Sequence, residues 1–313
     1  MKRGVVLGLL VLYVVWGSTY LAIRYGLESI PPFAMSGLRY ASAGAILLAA
    51  AKARGASRIA ARDFVPAFTC GALLLLCGNG GVVWAEQRIS SGLAALLIAT
   101  EPLFIVLMRA LPPERHAAGG RALFGTVLGL SGVALLLGPA RPGGQHIDLL
   151  GATVVLFAAF AWALGSLLSR RFAPAASPLQ ATALQMLAGG ALLLALSLAT
   201  GEWARFSLAH VSARSFAALL YLMVFGSLVG YTIYVWLLRV ADPSRVSTYA
   251  FVNPVVAVFL GWALAGETVT LRMLVAAAVI VAAVVLITLS ESGSSSTARP
   301  VIESHHKTKE APS

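Results

Sequence analysis

The sequence predicts an all-α integral membrane protein, with ten transmembrane helices arranged as two inverted repeats of five helices each. Hydrophobic residues make up 59% of the 313-residue chain and charged residues only 11%, whereas about a quarter of the residues in a soluble domain are charged. About twenty apolar residues are enough to cross a bilayer core, and ten such windows occur. A recurring set of residue spacings relates the two halves of the chain.

The ten apolar windows are separated by charged breaks or by breaks rich in Pro and Gly. They cover residues 4–23, 33–51, 65–85, 92–111 and 121–139 in the first half, and 150–169, 178–199, 215–238, 246–265 and 271–290 in the second. The first window lacks a small-residue cleavage site and is too long for a signal peptide, so we expect a retained span. The tail, residues 291–313, has no apolar periodicity, and we expect it to be disordered and cytoplasmic.

Lys and Arg residues are distributed unevenly between alternate loops. One set of loops, together with both termini, contains 16 of these residues, the other set contains 6, and Arg39 lies inside a span. Because cytoplasmic loops of membrane proteins collect Lys and Arg, we predict a multi-pass protein of the cell membrane with both termini cytoplasmic. The same rule explains the net charge of +11 without nucleic acid as a partner.

The spacings that relate the two halves start from tryptophan and glycine residues. Distances of 8, 16 and 28 residues lead from Trp16 to Arg24, Pro32 and Gly44, and from Trp162 to Arg170, Pro178 and Gly190. Distances of 6 and 18 residues separate Gly78, Trp84 and Pro102, and likewise Gly230, Trp236 and Pro254. Because each copy has five spans, an odd number, the second copy is predicted to be inverted in the membrane. The copies are predicted at 4–139 and 146–290, with the linker at Pro139–Gln145.

A proline lies in the middle of an apolar window at matching positions of the two halves, in Glu101-Pro102 and Asn253-Pro254. Proline removes one helical hydrogen bond, and the freed carbonyl is tolerated in a membrane only where it faces protein or a water-filled cavity. Interrupted spans at matching positions are a strong sequence indication of a transporter's central site. We therefore predict that Pro102 and Pro254 are hinges beside a cavity near the membrane midplane.

Glu101 is the acidic residue placed at mid-membrane, where a charge is costly unless it is paired, hydrated or protonated. Three interpretations stay open: a proton site, a contact for a substrate ammonium group, or a buried acid hydrogen-bonded to a neighbouring helix. The repeat places Asn253 opposite Glu101, and an amide can both donate and accept.

Several aromatic and polar side chains are candidates for the cavity wall. Trp16, Thr19 and Tyr20 share one face of the first span, which suits an apolar or aromatic substrate but is equally typical of helix packing or of an interfacial belt. The same alternatives hold for Trp162 and the other aromatic residues. With Glu101, the candidate substrate-binding residues are Trp16, Thr19, Tyr20, Asn79, Trp162, Tyr231, Tyr234 and Asn253. For Arg39, pairing with Glu28 or with helix-end carbonyls is favoured over contact with a substrate carboxylate.

Three stretches resemble EamA-type transporters of the drug/metabolite transporter superfamily, in particular their YedA-like members. They are Val15–Tyr20, Gly78–Gln87 and the stretch from Asn253 to Glu267, and the resemblance extends over about residues 4–290. It implies a fold of two inverted EamA repeats and a carrier, often an exporter, of amino acids and related small metabolites. It also implies a cavity lined mainly by helices one, three, four, six, eight and nine.

Several function classes find no support in the sequence. There is no Gly-rich phosphate loop, and all five histidines fall in loops or the tail, so we expect neither a cofactor, a bound metal nor an enzyme. The partners we expect are a small-molecule substrate and the lipid bilayer, with proton coupling, a monomer and a homodimer all left open. The alternatives are a flippase for a lipid-linked substrate and a membrane protein that does not transport.

Overall fold

The computed structural model describes residues 3–56, 58–109, 120–137, 148–172, 177–241, 246 and 249–294. Within these residues every regular element is a helix, as the sequence predicts. The helices are α1 (Arg3–Gly26), α2 (Pro32–Ala53), α3 (Ala61–Ala85), α4 (Ser91–Ile98), α5 (Glu101–Arg109), α6 (Gly120–Leu137), α7 (Leu149–Arg171), α8 (Pro178–Ala199), α9 (Ala213–Val240), α10 (Tyr249–Ala265) and α11 (Leu271–Ser294). A four-residue helix, Glu202–Arg205, and a 3₁₀ turn, Leu208–His210, lie between α8 and α9.

Six of the described helices, α1, α2, α3, α7, α8 and α9, are long and apolar enough to cross a membrane. Shorter apolar stretches occur at Ser91–Ile105, which includes the break described below, and at Val252–Ala265 and Leu271–Ala283. Helix α11 continues to Ser294, so residues 291–294 are helical rather than part of a disordered tail, because a formed helix propagates at little further cost. The predicted linker at Pro139–Gln145 and the tail beyond Ser294 lie outside the described residues.

Local sequence signals set many helix starts. Pro32 and Pro178 occupy the first turns of α2 and α8, where a missing N–H costs nothing. Asp148 caps α7 by accepting a hydrogen bond from Gly151 N at 2.7 Å, and Ser90 caps α4 in the same way. Such caps satisfy N–H groups that have no partner inside their own helix.

Helices α2 and α8 pack closely, through a pair of contacts that mirror each other. A Cβ at Gly44 would lie 2.9 Å from the backbone nitrogen of Leu187, and a Cβ at Gly190 would lie 2.5 Å from that of Ala41. The two glycines, and likewise Ala41 and Leu187, are separated by the 146 residues that relate Trp16 to Trp162. The close approach of these helices therefore depends on glycine at matching positions of the two halves.

Helices α3 and α9 each contain a π-helical segment, at Gly71–Gly80 and Leu222–Tyr231. The first packs against α7 and α8, and the second against α1 and α2. Segments of this kind are rare and often occur at functional sites. Both segments bring side chains and glycine backbone to the middle of the molecule, where the cavity described below lies.

The predicted fourth span is interrupted. Helix α4 ends at Ile98 and α5 begins at Glu101, so Pro102 lies in the first turn of a new helix. The hydroxyl of Thr100 donates to the carbonyl of Leu97 at 2.6 Å, a local bond that competes with helix geometry. In contrast, Pro254 lies inside the continuous helix α10.

Candidate functional site

An internal cavity lies where the two halves of the chain meet. The centre of a water molecule can occupy a volume of about 70 Å³ in this cavity, which is enough for several waters. Its walls come from α1, α2, α3, α4, α7, α9 and α10. Apart from α2, these helices correspond to predicted spans one, three, four, six, eight and nine, the spans that the resemblance implies. The lining residues are Trp16, Thr19, Tyr20, Ile23, Arg39, Tyr40, Gly78, Asn79, Val82, Ile98, Trp162, Gly226, Tyr231, Tyr249 and Asn253.

Each of the two repeat-related tryptophans lies against a glycine of the opposite half. The indole Nε1 of Trp16 donates to the carbonyl of Gly226 at 3.2 Å, and a Cβ at Gly230 would clash with that nitrogen. Trp162 lies against Gly78, where a Cβ would be 2.8 Å from the indole ring. Glycine at these places therefore lets each indole reach the cavity wall.

Four rings form an aromatic layer at one end of the cavity: Trp16, Trp162, Tyr234 and Tyr249. The centroid of Trp16 lies 5.5 Å from Trp162, 4.9 Å from Tyr234 and 5.2 Å from Tyr249, distances at which aromatic pairs attract. The Tyr234 hydroxyl accepts from Trp162 Nε1 at 3.1 Å and is 2.5 Å from Ser166 Oγ. The layer is thus fixed by ring contacts and by hydrogen bonds.

Glu101 lines a second, smaller cavity, whose space for a water centre is about 10 Å³, close to what one water needs. The carboxyl group is buried and accepts a hydrogen bond from the hydroxyl of Tyr249. Tyr234 and Arg170 also line this second cavity. Because Tyr249 lines both cavities, it connects Glu101 to the central cavity.

Arg39 lines the central cavity and does not form an ion pair with Glu28. Its side chain is 3% exposed, its Nε donates to Ser227 Oγ at 2.6 Å, and its guanidinium lies 4.6 Å from the centroid of Tyr40. Glu28 instead pairs with Arg214 at 3.2 Å, in an exposed loop contact. The expected pairing of Arg39 with Glu28 is therefore wrong, because the guanidinium points inward from α2.

Two asparagines of the cavity differ in their hydrogen bonding. In the amide orientation that its hydrogen bonds require, the side-chain nitrogen of Asn253 donates to the carbonyls of Tyr13 and Tyr249 at 3.2 Å each. The side-chain oxygen of Asn79 is buried and has no hydrogen-bond partner among the described residues, and neither has NH1 of Arg39. The cavity therefore contains one donor and one acceptor that the described part of the protein leaves unpaired.

A buried carboxylate ties two helix ends together beyond the cavity. Glu267 follows α10 and accepts hydrogen bonds from Ser91 N at 2.9 Å, Ser91 Oγ at 2.8 Å and Gly92 N at 3.2 Å. It also pairs with Arg24 at 3.4 Å. A carboxylate suits a helix N-terminus, where unpaired N–H groups and the helix dipole favour negative charge. Glu86 is also buried, and neither of its carboxyl oxygens has a partner among the described residues.

Comparison with known proteins agrees with this arrangement. Residues 3–138 and 149–289 match the EamA-like transporter family. The chain belongs to this family. It is 39% identical over 265 residues to "Uncharacterized inner membrane transporter YedA" of Escherichia coli (strain K12), a match that covers 84% of this chain and 83% of that protein.

Two further comparisons extend the likeness. A "Probable amino-acid metabolite efflux pump" of Salmonella typhimurium (strain LT2) is 30% identical over 283 residues, covering 86% of this chain and 89% of that one. A solved crystal structure superposes with a TM-score of 0.67 at 23% identity, covering 92% of this chain and 98% of that chain. The resemblance read from the sequence is confirmed, and the protein is a membrane transporter.

In this EamA-family transporter, seven of the nine candidate binding residues line the central cavity, and Glu101 and Tyr234 line the second one. Of the two prolines, Pro254 faces an apolar groove on α10 and α11, and Pro102 lines neither cavity. Among the described residues there is no group of three potential metal ligands.

The sequence did not single out Tyr249, Tyr40 or Ser227. Tyr249 precedes Asn253 by four residues, so it shares a helix face with that candidate, and this spacing could have identified it. No comparable signal exists for Ser227, whose contact with Arg39 depends on how α2 and α9 pack.

Proposed function

We propose that this transporter is a secondary carrier that exports amino acids or related small metabolites by alternating access around the central cavity. The export direction and the substrate class are taken from the relatives named as amino-acid metabolite efflux pumps. The observation that carries the mechanism is the aromatic layer, which separates the central cavity from the second cavity containing Glu101. Opening on the second side requires the rings of this layer to move.

Mirrored contacts support the further proposal of ten spans in two inverted repeats, at 4–139 and 146–290. The contact of Gly44 with Leu187 corresponds to that of Gly190 with Ala41, as described above. The contact of Trp16 with Gly230 corresponds in the same way to that of Trp162 with Gly78. Contacts repeated under exchange of the halves are expected of a pseudo-twofold axis in the membrane plane.

Loop contacts support a cytoplasmic location for both termini. Each ion pair between described residues joins two positions that the Lys and Arg count places outside: Arg24–Glu267, Arg88–Asp148 and Glu28–Arg214. On the opposite side, Arg62, Asp63, Phe172 and Arg239 line one common cleft, and the same count places them in the cytoplasm. On this topology, the second cavity, which contains Arg170, lies on the cytoplasmic side of the aromatic layer.

Glu101 is placed to couple protons to the movement of the aromatic layer. A neutral carboxyl and a carboxylate differ in how strongly they hold the hydroxyl of Tyr249. Loss or gain of a proton at Glu101 then changes the preferred position of a ring in the layer, which links a proton gradient to the open side of the carrier. In this mechanism Glu101 acts through Tyr249 and does not contact the substrate in the central cavity.

The test is counterflow of labelled amino acids into liposomes that contain the purified protein, with and without a pH gradient. Tyr249→Phe removes only the hydroxyl that reaches Glu101, and Tyr221→Phe removes a hydroxyl that bonds Ser18 at 2.6 Å outside the cavity. We expect the wild type and Tyr221→Phe to share one pH dependence, and Tyr249→Phe to lose it. If no amino acid or related metabolite moves faster than in protein-free liposomes, the proposed function is wrong.

Orientation is tested separately with single cysteines in a background lacking Cys70 and Cys77. Arg58→Cys and Ala209→Cys are placed in exposed loops on opposite sides of the proposed topology. A membrane-impermeant thiol reagent added to intact cells should label Ala209→Cys and not Arg58→Cys. Labelling of both positions from outside would contradict the topology without bearing on transport.

A further inference from the structure

Arg39 is a buried cation whose counter-charge is missing from the described part of the protein. No carboxylate among the described residues pairs with it, and its neighbours are the Ser227 hydroxyl and the Tyr40 ring. A buried charge inside a membrane protein is costly unless it is paired or hydrated. The unpaired NH1 of Arg39 therefore fits an anionic group that arrives with a ligand.

The central cavity has no charge of the opposite sign to neutralise Arg39. Of its lining residues, Arg39 alone carries a formal charge, and Glu101 lies beyond Tyr249 in the second cavity. The wall of the cavity therefore carries one positive charge and no negative one, which disfavours a ligand that is only a cation. A guanidinium presents its N–H groups as a planar fork, which matches a carboxylate.

Asn79, on helix α3, supplies a complementary acceptor in the same cavity. Its side-chain oxygen is buried without a hydrogen-bond partner among the described residues and lines the same cavity as Arg39. A buried acceptor of this kind costs stability until it is paired. An ammonium group carries three donors and no acceptor, so it matches this oxygen, and the faces of neighbouring aromatic rings attract such a cation.

We propose that Arg39 and Asn79 form the recognition site for a zwitterion, with the ligand's carboxylate on Arg39 and its ammonium group on Asn79. The aromatic layer holds the ligand's apolar side group. This proposal rests on the proposed function and names the groups by which the carrier recognises a free α-amino acid. Because the space in the cavity is small, an amino acid with a modest apolar side chain is the expected ligand.

The test is binding to the purified full-length protein in detergent, with L-leucine and L-phenylalanine as probes. Each is compared with its amide, which lacks the carboxylate, and with its N-acetyl derivative, which lacks the ammonium group. We expect the wild type to bind at least one of the free amino acids about tenfold or more tightly than either derivative, because a hydrogen bond to a charged group contributes about that much.

Two variants separate the roles of the two side chains. Arg39→Gln should weaken binding of the free amino acid by about tenfold to a hundredfold, and Arg39→Lys, which keeps the charge, should weaken it less. Asn79→Leu should reduce the preference for the free amino acid over its N-acetyl derivative towards one. Arg214→Gln makes the same chemical change at an exposed arginine and should leave binding unaltered.

Folding is checked by size-exclusion chromatography, and a variant that aggregates is replaced by Ser227→Ala, which removes only the hydroxyl that positions Arg39 Nε. Ser227→Ala should lower affinity for the free amino acid and not for its amide. The proposal is overturned if neither amino acid binds, if an amide binds as well as its parent, or if Arg39→Gln binds normally. If counterflow is as fast for the amide as for the free amino acid, the proposed function stands and the proposed site at Arg39 and Asn79 is rejected.

Discussion

The two proline-containing stretches of this transporter occupy matching positions and have different structures. In the first half the chain breaks between α4 and α5, with Pro102 at the start of the new helix, whereas Pro254 lies inside the continuous helix α10. The residues that precede the two prolines also differ. Thr100 bonds the carbonyl of Leu97 with its hydroxyl, and the matching residue Val252 has no polar group with which to do so. A proline at matching positions therefore does not by itself decide whether a helix is continuous.

The broken helix pair is tied to the continuous helix at both ends. At the break, Glu101 accepts a hydrogen bond from Tyr249 at the start of α10. At the other end, Glu267, just after α10, caps α4 through Ser91 and Gly92. Contacts with α10 and with the residue just after it therefore hold α4 and α5 in position. Substitutions that remove each contact test this relation.

The largest effect is expected from Glu101→Gln, which keeps the size of the side chain and removes its ability to charge. If Glu101 couples protons to transport, the ratio of counterflow rates with and without a pH gradient should fall to about one, where coupling is typically worth about 5–150-fold. Binding of the amino-acid probes should survive, because Glu101 does not line the central cavity. Counterflow at two pH values and equilibrium binding measure the two quantities.

Asn253→Asp provides the matched experiment in the other half, since it places an acid at the position that corresponds to Glu101. We expect it not to restore the pH response in Glu101→Gln, because Asn253 contacts the backbone carbonyls of Tyr13 and Tyr249, whereas Glu101 accepts from the Tyr249 hydroxyl. Loss of probe binding at every pH in Glu101→Gln would instead favour contact with the substrate ammonium group. An unaltered pH profile and unaltered binding would leave Glu101 as a buried, hydrogen-bonded acid.

The next effect concerns the two prolines, and the structure makes it unequal. Pro254→Ala adds an N–H that can bond the carbonyl of Ala250 inside α10, which should stabilise the fold by up to about 3 kcal/mol and slow transport by stiffening the helix. Pro102→Ala changes a first-turn position whose N–H would stay unpaired, so both properties should change less. Thermal unfolding in detergent and counterflow check the order, and equal effects would mean that the break does not exist in the membrane.

The third effect concerns the buried carboxylate of Glu267, which contacts Ser91 and Gly92 at the N-terminus of α4. Glu267→Ala removes the carboxylate that, beside the Ser90 cap, accepts from Ser91 and Gly92 at the start of α4 and pairs with Arg24. It should destabilise the protein by about 2 kcal/mol, at the upper end for loss of a cap. Glu28→Ala removes the acid of an exposed ion pair with Arg214 and should cost about 1 kcal/mol or less. Thermal unfolding of the two variants gives the comparison, and similar losses would show that burial of Glu267 does not strengthen the tie.

The sequence predicted much of this arrangement because the duplication repeats side chains at fixed spacings. Trp16 and Trp162 recur at the same distances from Pro and Gly, and both line the cavity against glycines of the opposite half. The paired spacing of Glu101 and Asn253 likewise identified one lining residue of each cavity. Such predictions succeed because helix faces follow directly from residue spacing.

Other features depend on how helices pack, which one sequence does not specify. Arg39 was expected to pair outside the core, and its contact with Ser227 depends on the packing of α2 against α9. The cap formed by Glu267 joins residues 176 positions apart, so no local signal indicates it. The sequence led us to expect an interruption at both prolines, and the structure has one only before Glu101, since Pro254 lies inside the continuous helix α10.

The smallest effect is expected at an exposed tie between the halves, where Asp148 at the start of α7 pairs with Arg88 at 3.0 Å. The hydrogen bond from Gly151 N, and then Arg88, hold the pKa of the Asp148 carboxyl below its ordinary value. A carboxyl with a lowered folded-state pKa contributes stability above its unfolded-state pKa of about 3.9 and loses that contribution as the pH falls through the folded value. Asp148→Asn keeps a capping oxygen and removes the charge, so it should lower the midpoint of thermal unfolding slightly at neutral pH. This difference should vanish once the pH lies below the folded-state pKa of Asp148 and shrink as salt is added, because exposed charges are screened. A difference that persists in acid would assign the contribution of Asp148 to the cap alone and not to its charge.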